Sequence, residues 1–238
     1  SNMSCKNLNK NFNKALIDNK LRESLNLGIE LMLSGLIGDI WDKIITVSVR
    51  NININNPKLP YFIYTRYMKY IKLVSEYSIL ELRNNQCFRN LLTELVFTVS
   101  NSKKSKQLGY QKIKESEFKL QNIISKFTAK DDSLINDKLK YGDPEETIII
   151  LNEFNHSLLS KNYNNAVYWL SWIFEWEKKT KKNKISFMCG YREIKNIDKK
   201  YHNDIVWFIW EIIIKESKKK SDFVIKNIES LYKMYKYD

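Results

Sequence analysis

The 238-residue sequence predicts an all-α fold, a multi-helix array with short connections. Glycine and proline are scarce, with six and three residues, whereas a many-stranded β fold needs more turn formers. Apolar residues recur at intervals of three and four along most of the chain, which is the period of an amphipathic helix. Hydrophobic residues make up 43% of the chain and charged residues 28%, a balance typical of a folded globular protein.

The first half of the chain contains a series of helical patterns. Residues 1–20 are polar and are expected to be flexible or to form a short helix. Further helices are predicted over 21–34, 37–49, 61–75 and 87–99, with a weaker amphipathic helix over 110–127. The pattern of the 61–75 helix predicts that its buried face consists of Tyr64, Tyr67, Met68 and Ile71.

The second half is expected to form a separate helical subdomain, 143–238. A polar segment, 130–142, is the predicted linker to the first subdomain, 21–129. Asp143-Pro144-Glu145-Glu146 predicts a helix start with Asp143 as the N-cap and acidic residues in the first turn. Three more helices are predicted over 165–177, 204–215 and 223–237, with a basic insertion at 178–203. A short β excursion over 185–192 is left open.

The basic residues are the strongest functional signal. The formal net charge is +13, from 40 Lys and Arg against 27 Asp and Glu, and such a chain attracts polyanions. Lysine clusters favour phosphate contact over base readout, and Trp172, Trp176 and Tyr191 are candidates for stacking on unpaired bases. The predicted nucleic-acid contacts are Lys103, Lys104, Lys106, Lys178, Lys179, Lys181, Lys182, Lys184, Arg192, Lys199 and Lys200. Heavy use of Lys, Asn, Ile and Tyr also indicates an AT-rich genome, so codon bias is an alternative source of the charge.

No pattern for catalysis or metal binding stands out, and a non-enzymatic protein without a cofactor is expected. His156 and His202 have no partner at metal-ligand spacing. The three cysteines are widely spaced, which favours reduced thiols in the cytoplasm or nucleus. One catalytic alternative is a thiolate at Cys189 activated by Arg192. No apolar run reaches the ~18 residues that span a bilayer, so no membrane partner is expected.

Three segments resemble a known family. The segments are IWDKIITVSVRNININNPKL (40–59), ELVFTVSNSKKSK (94–106) and NNAVYWLSWIFE (164–175). They are similar to the helical C-terminal collar region of the MgsA/RarA-type AAA+ ATPases, clamp-loader relatives that act at stalled replication forks. The family's Glu-Asp-Ile-Gly tetrapeptide is Arg50-Asn51-Ile52-Asn53 here, and the third segment lies after the first, not before it. Because no GxxxxGK[ST] occurs, the resemblance implies a collar-like 21–129 region without the ATPase motor.

The sequence therefore predicts a non-enzymatic helical scaffold in DNA replication or repair. It would oligomerise or dock a helical protein partner, and it would contact nucleic-acid phosphates through lysine loops. Two stretches, 21–49 and 164–214, also look alike, and an internal helix-pair repeat is one interpretation. The alternative function is a protein–protein adaptor with no nucleic-acid role. The choice between DNA and RNA stays open, because lysines directed at phosphates contact neither base nor sugar.

Overall fold

A computed structural model describes residues 4–105, 109–182 and 188–236. Within these ranges the chain is helical and contains no β-strand, so the all-α prediction is confirmed. The chain divides into two compact units, one formed by Ser1–Leu108 with Glu229–Tyr237 and the other by Gly109–Ile228 with Asp238. This boundary differs from the predicted linker at 130–142, which lies inside the second unit.

The first unit is built from six helices. They are α1 (Cys5–Ile17), α2 (Leu21–Leu33), α3 (Ile37–Val47), α4 (Leu59–Glu76), α5 (Ile79–Asn84) and α6 (Gln86–Asn101). The N-terminal segment is therefore a helix, and its Phe12 and Leu16 are fully buried in the core with Leu31, Ile44 and Val96. Burial of these side chains stabilises the packing of α1 against the rest of the unit, by about 1.5–3 kcal/mol for each side chain.

Helix α4 buries only part of the predicted face, since Tyr64 and Tyr67 pack against the core whereas Met68 and Ile71 do not. Met68 and Ile71 are 41% and 42% exposed, whereas Tyr67 and Tyr70 pack with ring centroids 5.2 and 5.4 Å from that of Trp41. Apolar residues surround much of this helix, so periodicity alone does not identify the face that meets the core. The prediction for Met68 and Ile71 was wrong, and α4 keeps an apolar face exposed.

Four helices are assigned to the second unit. They are α7 (Glu145–Leu159), α8 (Tyr163–Lys182), α9 (Ile205–Ser217) and α10 (Asp222–Tyr235), whose residues from Glu229 onward are grouped with the first unit. Its core contains Ile150, Phe154, Trp169, Trp172 and Phe208. Helix α8 runs to Lys182, so the basic loop expected from residue 178 is helical as far as it is described; residues 183–187 lie outside the described ranges.

The helix predicted over 110–127 is absent. Short 3₁₀ turns at Glu115–Phe118, Leu120–Asn122 and Ile124–Lys126 replace it. Polar side chains of α7 hold the segment that follows: Glu153 accepts hydrogen bonds from the backbone N–H groups of Thr128 and Ala129, both at 2.9 Å. Buried side-chain acceptors satisfy a backbone that forms no regular helix.

The possible β excursion is also absent where the structure describes it, at residues 188–192. This segment instead forms two backbone hydrogen bonds to the chain just before α9, from Cys189 N–H to Asn203 O and from Arg192 N–H to His202 O, both at 3.0 Å. None of the described helices combines the length and the hydropathy required to cross a bilayer.

Candidate nucleic-acid interface

The end of α3 has an irregular backbone. A π-helical turn, Ser48–Ile52, follows α3, and a 3₁₀ turn, Asn53–Asn55, follows it directly. Ile52 is fully buried, and Asn53 adopts φ 55° and ψ −130°, a strained conformation for any residue except glycine. Asn53 Oδ1 accepts a 2.7 Å hydrogen bond from the Ile54 N–H, which helps asparagine tolerate this geometry. Backbone strain and π turns both concentrate at functional sites.

This turn docks onto the loop that follows α6. The Ser105 N–H donates to Asn51 O at 2.5 Å, and Asn56 Nδ2 donates to Ser102 Oγ at 3.1 Å. The contact places Arg50, next to Asn51, near Lys103, whose carbonyl accepts a 3.4 Å hydrogen bond from Asn55 Nδ2. Arg50 and Lys103 both have exposed side chains. Two segments more than 40 residues apart in sequence therefore bring two basic side chains to one region of the first unit.

Lys104 has a structural role. Its ammonium donates to the carbonyls of Val99 and Ser102, at 2.7 and 2.9 Å, and so caps the C-terminus of α6. A third bond of 2.7 Å reaches Asn19 Oδ1, and burial lowers the pKa of Lys104 to about 8. The prediction of Lys104 as a phosphate contact was wrong, because its donors are used within the unit. The bond to Asn19 also brings the exposed Lys20 near this loop.

We define the basic edge as Lys20, Arg50 and Lys103. Lys20 has an exposed partner, Glu23, at 3.6 Å, and such surface pairs are weak. Lys103 was among the residues predicted from the sequence, where Arg50 stood out only as a departure from the family tetrapeptide. Lys20 was missed, because its nearness to the α6 loop arises from the Lys104–Asn19 bond. Lys106 lies outside the described residues.

The two units carry very different charge. The first unit has 18 Lys and Arg against nine Asp and Glu, whereas the second has 22 against 18. Among the described residues, the first unit contains three ion pairs and the second contains twelve. The charge surplus is thus concentrated in the first unit, and few acids neutralise it there.

Most predicted contacts in the second unit have acidic partners. Lys178 lies 3.7 Å from Glu175, Lys179 pairs with Glu115, and Lys181 lies 3.0 Å from Glu177. Lys200 lies 3.4 Å from Asp198. Lys182 and Lys199 are exposed, and Lys184 lies outside the described ranges. The described lysines among them lie at the surface of the second unit, but neighbouring acids reduce the positive electrostatic potential around them.

Arg192 was predicted to contact nucleic acid, and its position contradicts that role. The side chain is 1% exposed, and it forms a bidentate pair with Asp143 at 2.8 and 2.9 Å. Its Nε donates to Glu211 at 2.8 Å, and the guanidinium lies 4.0 Å above the Phe208 ring. Pro144, and not Asp143, occupies the N-cap of α7, so the acid predicted to cap a helix holds the buried arginine.

The thiolate alternative at Cys189 was also wrong. The side chain is buried, and burial together with the nearby Asp143 raises the pKa of its thiol to about 12. Arg192 is fully engaged by carboxylates, so it leaves no free positive charge to activate sulfur. Cys5 and Cys87 are exposed thiols.

His202 is likewise a buried structural residue. One ring nitrogen lies 2.8 Å from the Tyr191 hydroxyl and the other 3.0 Å from Ile197 O. The described part of the chain contains no group of three His, Cys, Asp or Glu side chains able to hold a metal ion.

No protein-family model, no curated protein and no solved structure matches this chain. A function therefore has to be inferred from its own residues and contacts.

Proposed function

We propose that this chain is a non-enzymatic helical scaffold of DNA replication or repair that binds nucleic-acid phosphates through the basic edge. The observation that carries the proposal is the charge of the first unit, where 18 basic residues face nine acidic ones. Uncompensated lysines and arginines bind polyanions because each phosphate contact releases condensed counterions. The bidentate geometry of an arginine such as Arg50 adds directional phosphate binding.

The resemblance to the clamp-loader-like collar supports the same proposal. The two stretches that carry it, at 40–59 and 94–106, contact each other at the Asn51–Ser105 hydrogen bond. At the positions where the family has Glu-Asp, this chain has Arg50-Asn51. Replacing two acids by one base favours a phosphate contact at this edge.

Fluorescence anisotropy tests the proposal. Labelled single-stranded and duplex oligonucleotides are titrated with the full chain across ~50–300 mM salt. Binding should weaken steeply with salt, and Lys20→Ala/Arg50→Ala/Lys103→Ala should reduce the log–log slope by roughly 0.7–0.9 for each phosphate that the variant no longer binds. The matched control is Lys178→Ala/Lys182→Ala/Lys199→Ala, which removes the same charge from the second unit. Equal losses of affinity in both triple variants, or no binding by the parent chain, would contradict a localised phosphate site.

A second candidate function, a protein–protein adaptor, is favoured by the exposed face of α4. Tyr61, Met68, Ile71 and Val74 are each 41–45% exposed, and we call these four residues the apolar stripe of α4. We infer that a second copy of this chain covers the stripe, as a scaffold that oligomerises requires. Sedimentation of nuclease-treated protein should show a concentration-dependent dimer that Met68→Glu/Ile71→Glu abolishes and that Leu159→Glu, on an exposed residue of the second unit, leaves intact. A monomer at all concentrations would rule out this role for the stripe.

A further inference from the structure

The irregular turn that follows α3 presents an apolar side chain to solvent. Ile54 is 79% exposed, more than any other leucine, isoleucine or valine in the described part of the chain. Val49, in the π turn just before it, is 50% exposed. A single exposed aliphatic side chain is ordinary on a protein surface. Ile54 differs because of the backbone that holds it and the charges that surround it.

The backbone around Ile54 is held in one conformation by hydrogen bonds. The Oδ1 atom of the strained Asn53 accepts from the Ile54 N–H at 2.7 Å, and the Asn56 N–H donates to Asn53 O at 3.3 Å. Just before this turn, Ser105 Oγ donates to Ile52 O at 3.2 Å, which ties the turn to the loop after α6. Such preorganisation lowers the entropic cost of placing Ile54 inside a partner.

Basic side chains surround this apolar residue. Arg50 and Lys58 lie four residues before and after Ile54, so their Cα atoms are within about 14 Å of its own. The neighbouring Asn55 donates to the backbone of Lys103 at 3.4 Å. All three basic side chains are exposed, and the three ion pairs in the described part of the first unit involve other residues.

This arrangement is complementary to duplex DNA, whose phosphates lie outside and whose stacked base pairs form an apolar interior. The exposed cations match the phosphates, and the aliphatic tip matches the faces of the base pairs. An anionic bilayer has a similar order of charge and apolar interior, but it retains a protein only through larger apolar surfaces, whereas a base step opens for one side chain. The duplex is therefore the better match for a single protruding isoleucine.

We propose that Ile54 is a wedge that inserts between two base pairs of duplex DNA and kinks the duplex. The flanking Arg50, Lys58 and Lys103 bind the adjacent phosphates. Aliphatic wedges of this kind partly unstack one base step and kink DNA by about 20–90°. Pyrimidine–purine steps such as TA unstack most easily, so the wedge provides a sequence preference that phosphate contacts alone lack. This inference rests on the proposed function and names its ligand as duplex DNA that the protein bends.

Two fluorescence readouts test the wedge at saturating protein. One duplex carries 2-aminopurine in a central TA step, and its emission should rise when that base unstacks. A second duplex of about 20 base pairs, ~68 Å long, carries donor and acceptor dyes at its ends, and kinking should raise the transfer efficiency. Ile54→Ala should abolish both changes, whereas Ile54→Leu, which keeps an aliphatic wedge, should retain them. A duplex without any pyrimidine–purine step should bind without being kinked.

A matched variant controls for the loss of an exposed isoleucine. Ile79 is 61% exposed on α5 of the same unit, and Ile79→Ala should leave both readouts unchanged. Because both side chains are mainly exposed, neither alanine variant should shift the urea midpoint, so a lost signal would not reflect unfolding. Equal losses in the two alanine variants, or full signals from Ile54→Ala, would overturn the proposal.

The wedge and the basic edge can fail separately. Because Ile54→Ala removes no charge, its anisotropy titrations should show the salt slope of the parent chain. Salt-dependent binding by the parent without unstacking or kinking would remove the wedge and leave the basic edge in place. Absence of salt-dependent binding would contradict the basic edge itself. Sedimentation of the parent, but not of Ile54→Ala, with phosphatidylglycerol vesicles, together with unbent DNA, would assign Ile54 to a membrane surface and overturn the proposal.

Discussion

The two units differ in how far their basic residues are paired with acids. The second unit is richer in lysine and arginine, but ten of its 18 acids form twelve ion pairs with them among the described residues. These pairs include Glu115–Lys179, Asp204–Lys181 and Glu211–Arg192. The first unit has fewer basic residues and half as many acids as bases, with three such pairs in its described part. A run of lysines in the sequence is therefore a poor guide to a charged surface, because distant acids decide how much of its charge remains.

The largest expected effect comes from Arg192, a residue of the second unit whose guanidinium pairs with both Asp143 and Glu211. Arg192→Ala leaves Asp143, whose side chain is 1% exposed, without its cation, and breaking such a buried pair costs about 3–5 kcal/mol. Urea unfolding followed by tryptophan emission should report this destabilisation, since Trp169, Trp172, Trp176, Trp207 and Trp210 all belong to this unit.

A companion variant separates the effect of the ion pair from that of packing. Arg192→Met/Asp143→Asn removes both charges and should retain more of the stability than Arg192→Ala alone. A loss of less than about 1 kcal/mol in the free energy of unfolding for Arg192→Ala would mean that the ion pair contributes little to stability. The difference in ion pairing between the units would then have little effect on their stability.

The next largest expected effect is a loss of stability of the second unit at low pH. Burial by itself raises the pKa of Glu117, but hydrogen bonds from Lys126, from the Lys114 N–H and from Tyr168 lower it to about 2. Between about pH 4.5 and 2 the unfolded chain binds more protons than the folded chain at this residue, so stability falls as the pH falls. Above pH 5, Glu117→Gln should be less stable than the parent, and the difference should shrink toward pH 2. Urea midpoints at pH 7, 4 and 2.5 measure it, and a constant difference would contradict the low pKa.

Asn53 offers a smaller test, in the first unit. Its φ of 55° and ψ of −130° suit glycine, so Asn53→Gly should relieve strain and stabilise by about 0.5–1 kcal/mol despite the greater freedom of the unfolded chain. Asn53→Ala should destabilise by roughly 1 kcal/mol, because it keeps the strain and removes the bond to the Ile54 N–H. Trp41, the sole tryptophan of this unit, reports its urea unfolding in a chain whose other tryptophans are phenylalanine. A destabilised Asn53→Gly variant would show that the asparagine side chain outweighs the strain.

Salt gives the smallest expected difference and the most direct comparison. Screening reduces repulsion among the surplus charges of the first unit, so raising salt from ~50 to ~300 mM should stabilise it by on the order of 0.5 kcal/mol. The second unit, with its many ion pairs, should gain nothing or lose slightly. The same two tryptophan reporters measure both responses, and parallel shifts would mean that the uneven charge has no energetic consequence.

Much of the fold could be predicted from periodicity. Helices α2, α3, α6, α9 and α10 begin and end within a few residues of their predicted limits, because strong apolar stripes and breaks such as Ser34-Gly35 mark them. Helix α5 was missed although its capping box, Ser78 with Glu81, is a recognisable start signal. The 110–127 error has a different origin. Side chains of the later helix α8 bind the backbone of this segment: Ser171 Oγ accepts from the Gln111 N–H, and Trp172 Nε1–H donates to Glu117 O, and no local pattern encodes these contacts.

The candidate sites were predictable only in part. Lys103 stands out in the sequence because it lies in a lysine run. Lys20, which belongs to the same basic edge, does not, because a separate segment supplies it and only the fold brings it near. Arg192 was misjudged for the same reason, since the carboxylate that buries it is Asp143, 49 residues away.

The distribution of thiols and indoles between the units has a spectroscopic consequence. Cys5 and Cys87 are exposed in the first unit, whereas Cys189 is buried in the second and its raised pKa keeps it unreactive. A maleimide dye added to the native chain would therefore label only the first unit, while five of the six tryptophans emit from the second. The protein thus carries resonance-energy-transfer donors in one unit and acceptor positions in the other. Any ligand that changes the distance between the units would change the transfer efficiency, without an engineered cysteine.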